Sequence, residues 1–227
     1  MAAHFSAETF AFLADLKANN DREWFQKNRD RYEEYVRIPA LQFIADFAPR
    51  LEQISPHFVS DPRPVGGSLF RIHRDVRFSK DKSPYKTNIA MRFFHERASD
   101  VHTPGFYLGI EPGDSMVGIG TWHPDSATLR RIRDAIADDA ETWSDLLSEP
   151  EFAARYRLWG ESLSRPPKGY NPDHPLIQDL KRKDFVGVAE LINEEVGAPD
   201  FIELYTQLCR AGSNFVQYLC EVSGLPF

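Results

Sequence analysis

Residues 106–122 read FYLGIEPGDSMVGIGTW, and this stretch decides the fold class. Phe106, Leu108 and Ile110 alternate with less apolar residues, and a second segment of short period runs from Met116 to Trp122. A period of two predicts β-strands. The turn between the two segments, residues 112–115, is too short for a crossover connection, so the strands are predicted to pair antiparallel.

Outside this hairpin, the same period of two predicts three more strands, at residues 70–73, 89–94 and 185–192. Apolar residues recur at helical spacing near the start of the chain, at residues 125–137, 140–147 and 152–159, and in one long helix from Pro199 to Val222. Helices before and after the strands favour an α+β fold over alternating βαβ units. We therefore predict a single α+β domain over residues 1–227, with an antiparallel sheet of about five strands flanked by N-terminal and C-terminal helices.

Several local signals predict where the N-terminal helices begin and end. Ser6 is the expected N-cap of the first helix, and Asn20 stands three residues before Glu23, the spacing of a capping box. Pro39 lacks the amide that a helix requires, so we expect a kink or break there. Residues 55–67, which hold three prolines and two glycines, are predicted to be loop. The four tryptophans could line an aromatic pocket, but we interpret them as core.

Composition bounds the environment of the protein. A net charge of −7 disfavours nucleic acid and anionic membranes as partners. The sequence holds no apolar run of about 18 residues for a membrane helix and no N-terminal signal segment. Cys209 and Cys220 are predicted to lie about 16 Å apart on one helix, too far for a disulfide. These features predict a soluble cytoplasmic protein with reduced thiols.

Motifs for common chemistries are absent from the sequence. It contains no P-loop, no GxGxxG and no GxSxG. His95, His102 and His123 could converge beside the strands, but no metal-ligand spacing accompanies them. We expect no cofactor and no metal, and catalytic residues remain undetermined from sequence, as does the question of whether the protein is an enzyme.

The polar segment at residues 70–86, FRIHRDVRFSKDKSPYK, is the strongest candidate for a site. From Arg71 to Lys86 it carries six basic and two acidic side chains, a local net charge of +4. Arginine forks and lysine ammonium groups suit phosphate or carboxylate, and Tyr85 could stack or donate its hydroxyl. The alternative is a solvated hairpin loop in which Asp75 and Asp81 pair locally with arginine or lysine.

Four blocks of sequence carry a family resemblance. They are Phe12-Leu13 to Trp24-Phe25, the 70–86 segment, Pro124-Asp125 with Leu129 and Arg133, and Pro167-Lys168-Gly169-Tyr170 with His174-Pro175. In these blocks the chain resembles a widespread bacterial and fungal family of uncharacterised proteins, over nearly its whole length. The 70–86 segment is the most specific block, although the family usually has Tyr where this chain has His73. The family brings no established activity with it.

The resemblance implies that the 70–86 segment is a family signature and therefore a binding or catalytic loop. It also adds residues 167–175, where Lys168 and His174 would be the donors, although the prolines there could merely shape a connection. The predicted ligand-binding residues are Arg71, Arg74, Asp75, Arg77, Lys80, Asp81, Lys82, Tyr85, Lys86, Lys168 and His174.

Three functions are open at this point. The first is binding of a phosphate-bearing or polycarboxylate small molecule by the basic loop, with or without catalysis. The second is a nucleic-acid surface with Phe78 and Tyr85 as stacking groups, which the acidity of the chain disfavours. The third is an interaction module whose basic loop docks an acidic segment, such as residues 134–151 of a second copy. The oligomeric state is not predicted.

Overall fold

The computed structural model of the chain describes residues 3–97 and 102–227. Six strands form its sheet: β1 Phe58–Val59, β2 Ile89–His95, β3 Gly105–Ile110, β4 Ser115–Thr121, β5 Arg157–Trp159 and β6 Phe185–Leu191. They are ordered β1-β2-β3-β4-β6-β5, and every neighbouring pair is antiparallel. The sequence-based prediction of an α+β fold with an antiparallel sheet is confirmed.

Helices precede, interrupt and follow the strands. They are α1 Ala7–Ala18, α2 Arg22–Lys27, α3 Arg29–Tyr32, a π-helical turn Glu33–Arg37, α4 Ile38–Ile54, α5 Ser126–Asp138, α6 Ala140–Ser148, α7 Pro150–Arg155, α8 Ile177–Leu180, α9 Asn193–Val196, α10 Phe201–Ala211 and α11 Ser213–Val222. In the part of the chain that the structure describes, none of these helices is long and apolar enough to cross a membrane.

One face of the sheet packs on helices. Phe93, Leu108, Val117 and Ala189 occupy it and are fully buried. They belong to strands that contact α4, α10, α11 and α7, and the ring of Phe47 on α4 meets that of Phe93 at 4.7 Å. Because successive strand residues point to opposite faces, the residues between these positions face the other side of the sheet.

The opposite face carries small residues at its centre. Arg92 pairs with Tyr107, Tyr107 with Gly118, and Gly118 with Val188, so these four residues form one row across the sheet. The next row includes Gly120, whose φ of +104° and closeness to the Phe185 carbonyl admit no side chain. This face borders an open groove described below.

The sheet has six strands where about five were predicted. The extra strands are β1, inside residues 55–67 that were predicted to be loop, and β5, which replaces the end of the helix predicted at 152–159. Both are short and edge-located, so they carry too few alternating residues to show a period. The strand predicted at 70–73 is reduced to isolated bridges from Leu69 to Met91 and from His73 to Tyr85.

The long C-terminal helix predicted from Pro199 to Val222 is wrong, because α10 and α11 are separate helices. Gly212 divides them with φ −98° and ψ 0°, where its missing side chain lets Ile119 of the sheet approach the backbone. Cys209 and Cys220 therefore lie on different helices, and both are buried, free thiols. Burial raises the pKa of Cys220 to about 12 and that of Cys209 further.

Two N-terminal predictions also need correction or detail. Asp21, rather than Asn20, caps α2 by accepting the Trp24 N–H at 2.9 Å. Pro39 does not end its helix; it lies in the first turn of α4, directly after the π-helical turn Glu33–Arg37, where a missing amide is tolerated.

The side chain of Asn20 instead makes two hydrogen bonds with the backbone of Tyr85. Its amide Nδ2 donates to the Tyr85 carbonyl at 2.9 Å, and its Oδ1 accepts the Tyr85 N–H at 3.0 Å. The Tyr85 ring, 3% exposed, stacks on Phe25 of α2 at 4.1 Å. Together these contacts fasten the segment before β2 to the N-terminal helices.

We expect Asn20→Ala to lower the free energy of unfolding by about 1–3 kcal/mol, since two partly buried hydrogen bonds are lost at about 0.5–1.5 kcal/mol each. Asn19→Ala is the matched control, because the one hydrogen bond that its side chain makes among the described residues is an exposed bond to the Asp15 carbonyl. Urea unfolding of both variants measures the difference. Equal losses in the two variants would show that the Tyr85 contact contributes nothing.

Candidate functional site

Residues 71–86 form a hairpin-shaped loop, here called the basic loop, that leads into β2. At its base, Arg74 N–H donates to the Pro84 carbonyl at 2.9 Å and Lys86 N–H to the Ile72 carbonyl at 2.8 Å. Ile72 and Tyr85 are buried at this base. The loop is therefore held at both its ends, and residues 75–83 form its tip.

Ion pairs within the loop compensate two of its cations. Arg77 donates two guanidinium hydrogen bonds to Asp75, at 2.9 and 2.6 Å, and these bonds lower the pKa of Asp75 to about 2. Asp81 accepts from the Ser83 hydroxyl at 2.6 Å, from the Ser83 N–H and from Arg74, which together hold its pKa well below the usual range. The local pairing predicted as the alternative is thus present in the loop tip.

Lys86 differs from these residues because it is half-buried and unpaired. Its Nζ lies 4.9 Å from the centroid of the Phe70 ring, a cation–π contact. Within residues 3–97 and 102–227 no carboxylate forms an ion pair with it. Burial, and secondarily the charge of Arg71, lowers the pKa of Lys86. The ammonium group therefore sits where its charge is disfavoured and uncompensated.

A polar cavity of about 430 Å³ lies between the basic loop, α1 and the end of β3. Inside it, Glu111 is compensated by Lys17, whose Nζ lies 3.0 Å from Oε1, and by the Thr87 hydroxyl at 3.2 Å. The residues that line the polar cavity are Lys17, Asn20, Arg74, Asp81, Ser83, Tyr85, Lys86, Thr87, Asn88 and Glu111.

A second cavity, here called the sheet groove, covers the glycine-rich face of the sheet and is also about 430 Å³ in volume. Its walls are mostly apolar and aromatic, including Tyr107, Trp122 and Trp159. Lys86 and Asn88 line both cavities, so the sheet groove and the polar cavity meet at these two residues.

The structure brings together only part of the predicted site. Arg74, Asp81, Tyr85 and Lys86 line the polar cavity, and Arg71 is close enough to influence the charge of Lys86. The others in the basic loop lie toward its tip: Asp75, Arg77, Lys80 and Lys82, with Lys82 Nζ donating to the Val76 carbonyl at 2.9 Å.

Lys168 and His174 are in neither cavity wall. Their segment enters the sheet at the start of β6, which pairs with the end of β4, whereas the basic loop enters at the start of β2, which pairs with the end of β3. These are opposite ends of the strands. His174 Nδ1 accepts the Leu176 N–H at 3.1 Å and so serves its own turn.

Several residues that line the two cavities were not predicted as site residues. Lys17 was not among the candidates, and Asn20 was predicted as a helix cap, a role that Asp21 fills instead. Trp122 and Trp159 were interpreted as core, but they are 47% and 58% exposed. Nothing in their spacing distinguishes a groove wall from a buried strand.

Two of the three histidines considered for convergence meet at Trp122. The ring of His123 lies 4.2 Å and that of His102 6.0 Å from the Trp122 ring. His123 has a left-handed φ of 48°, and its Nδ1 is 3.0 Å from Oδ1 of the buried Asp184. Among the described residues, no three His, Cys, Asp or Glu side chains cluster closely enough to hold a metal.

Comparison with known families identifies the chain. Residues 8–218 match the model of DUF2461, described as a conserved hypothetical protein. The chain belongs to this family. The DUF2461 match includes the basic loop and every strand of the sheet, and it confirms the resemblance to an uncharacterised family. No curated protein matches the chain.

The lowered pKa of Asp75 in this DUF2461 chain gives a test of the loop-tip pairing. We expect the Asp75 carboxyl to titrate near pH 2 in carbon-detected NMR and to return toward 3.8 in Arg77→Gln. Because the folded pKa is lowered, the stabilisation is complete above about pH 4 and is lost as the pH falls toward about 2. Lys80→Gln, an exposed charge on the same tip, is the control. An unchanged Asp75 titration in Arg77→Gln would contradict the pairing.

Proposed function

We propose that this protein binds a small anion, a phosphate or carboxylate group, in the polar cavity, with Lys86 as the principal contact. One observation carries this proposal: Lys86 is a half-buried ammonium group without a carboxylate partner among the described residues. Lysine is rarely buried unless it is paired, because removing its charge from water is unfavourable. A bound anion would supply the missing partner.

The remaining charges of the cavity support an anion rather than a cation as the ligand. Asp81 and Glu111 are already paired, with Arg74 and Ser83 and with Lys17 and Thr87 respectively. Their negative charge is thus compensated before any ligand enters. Of the charged side chains that line the polar cavity, Lys86 is the one without an opposite charge paired to it among the described residues.

A neutral donor lies beside this ammonium group. Asn88 lines the polar cavity next to Lys86, and an amide N–H is a common partner of phosphate and carboxylate oxygens, whereas the Thr87 hydroxyl is already donated to Glu111. Arg71 adds a second positive charge close enough to lower the pKa of Lys86. The basic loop thus contributes its base, residues 71 and 83–86, to the proposed site more than its tip.

A second candidate function, contact with single-stranded nucleic acid, is favoured by one observation. Phe78 at the loop tip is 95% exposed, and the Arg77 guanidinium lies 5.8 Å from its ring, an arrangement that suits base stacking. Tyr85, the other predicted stacking group, is instead stacked on Phe25. Binding of an oligonucleotide that weakens steeply with salt and is lost in Phe78→Ala would favour this function.

The anion proposal is tested by thermal shift and calorimetry with phosphate, pyrophosphate and citrate. At 100 times its dissociation constant a ligand stabilises the fold by about 2.7 kcal/mol, which raises Tm by roughly 5–10 °C. We expect Lys86→Met to weaken binding by about 10–100-fold, the value of a charged hydrogen bond. Lys80→Met, a lysine of the same loop that is exposed at the tip, should bind within about twofold of wild type by the same measure.

The methionine variant keeps the unbranched stem over Phe70, so a loss of binding reports the charge rather than packing. Equal affinity in Lys86→Met and Lys80→Met would remove Lys86 from the site. If none of the anions shifts Tm of the wild type, small-anion binding is wrong and the interaction-module alternative takes its place.

A further inference from the structure

The sheet groove is an apolar surface that the fold leaves open beside the proposed anion site. Tyr107, Met116 and Val188, only partly buried, lie on its floor. Trp122 and Trp159 stand at its far end, past Gly120 and Val186. Exposed aromatic groups that converge on one concave surface are unusual in a soluble domain and mark binding sites.

The depth of the sheet groove at its centre comes from the missing side chain of Gly118. Gly105, Gly118 and Gly120 are neighbours on β3 and β4, with Gly105 paired to Gly120 and Gly118 paired to Tyr107. A Cβ atom on Gly118 would meet only ordinary van der Waals contacts, the nearest being Tyr107 Cδ1 at 3.4 Å. Packing therefore does not require glycine at position 118, whereas an open groove does.

The sheet groove also has a polar end. It starts at Asn88 and Lys86, and reaches along β2 and β3 to the row of Gly105. Asn88 and Phe94, the partner of Gly105, are six residue steps apart along the strand, so the groove is about 20 Å long. A phosphate or a citrate bound at Lys86 would leave most of this length unfilled.

We propose that the ligand is an amphipathic anion, whose charged head is bound by Lys86 and whose elongated apolar body lies in the sheet groove. This inference rests on the proposed anion site. Two observations select this ligand class: the two cavities are continuous at Lys86 and Asn88, and the ammonium group at their junction has no carboxylate partner among residues 3–97 and 102–227. An acyl chain and an aromatic ring system share the required chemistry, and the probes below distinguish them.

Calorimetry with dodecyl phosphate, naphthyl phosphate and inorganic phosphate tests the proposal. We expect one of the two amphiphiles to bind at least about 100-fold more tightly than phosphate, since burial of about four methylene groups or their equivalent suffices. The tighter of the two identifies the body as alkyl or aromatic. Dodecyl maltoside, which has the same chain and no charge, should bind at least about 10-fold more weakly than dodecyl phosphate if the chain is the body.

Gly118→Leu fills the sheet groove without touching Lys86. We expect it to fold, because a branched side chain suits a central strand better than glycine does. It should reduce the affinity for the amphiphile to that for phosphate and leave phosphate binding unchanged. Gly118→Ala should have a smaller effect in the same direction. Trp159→Ala, at an exposed position, is the second variant and should weaken amphiphile binding by about 10-fold while leaving phosphate unaffected.

The outcomes separate the two proposals. If phosphate binds through Lys86 but neither amphiphile binds more tightly, the sheet-groove inference is wrong and the anion site stands. If amphiphile affinity is the same in wild type, Gly118→Leu and Trp159→Ala, the apolar body binds elsewhere and the inference is also wrong. A wild-type dimer that dissociates in Gly118→Leu, measured by sedimentation, would assign the groove to a second copy instead. If the wild type binds none of these anions, both proposals are wrong.

Discussion

Neighbouring residues of a strand face opposite sides of a sheet. The rest of this structure depends on which residues β2, β3, β4 and β6 place on each side. On one side, Phe93, Leu108 and Val117 are buried under α4, α10 and α11. The other side carries Arg92, Tyr107 and Met116 around a centre at Gly118. A layer of helices on a single side stabilises the protein and leaves a shaped surface on the other, so the proposed binding surface and the core use different faces of the same strands.

Lys86 connects that surface to the basic loop. The loop does not gain its order mainly from its own ion pairs, which lie at the exposed tip; it is fastened at the base, through Asn20 and through Tyr85 on Phe25. The base delivers Lys86 to the junction of the polar cavity and the sheet groove. The N-terminal helices therefore determine the position of a cation at the entrance to the sheet, although they contribute no strand to it.

The α+β class and four of the strands followed from periodicity and turn chemistry, and membership of an uncharacterised family followed from a resemblance. The functional role of residues 70–86 stays a prediction. Short elements did not, because β1 and β5 have only two and three residues and show no period. The spacing between Asn20 and Glu23 predicts a helix cap. Only the folded chain shows that the Asn20 side chain instead bonds to the backbone of Tyr85. Trp122 and Trp159 lie among apolar residues just as Trp143 does, yet Trp143 is buried. Which tryptophan is covered depends on tertiary contacts that sequence spacing does not encode.

The division of the C-terminal segment at Gly212 has a consequence for the two thiols. Cys209 on α10 and Cys220 on α11 are both held in the core, with their pKa values raised by burial. A thiol is alkylated as its thiolate, so neither reacts appreciably until its own helix leaves the sheet. Since the two cysteines lie on different helices that pack on each other and on β4, a comparison of their alkylation rates reports whether α10 and α11 open together or separately.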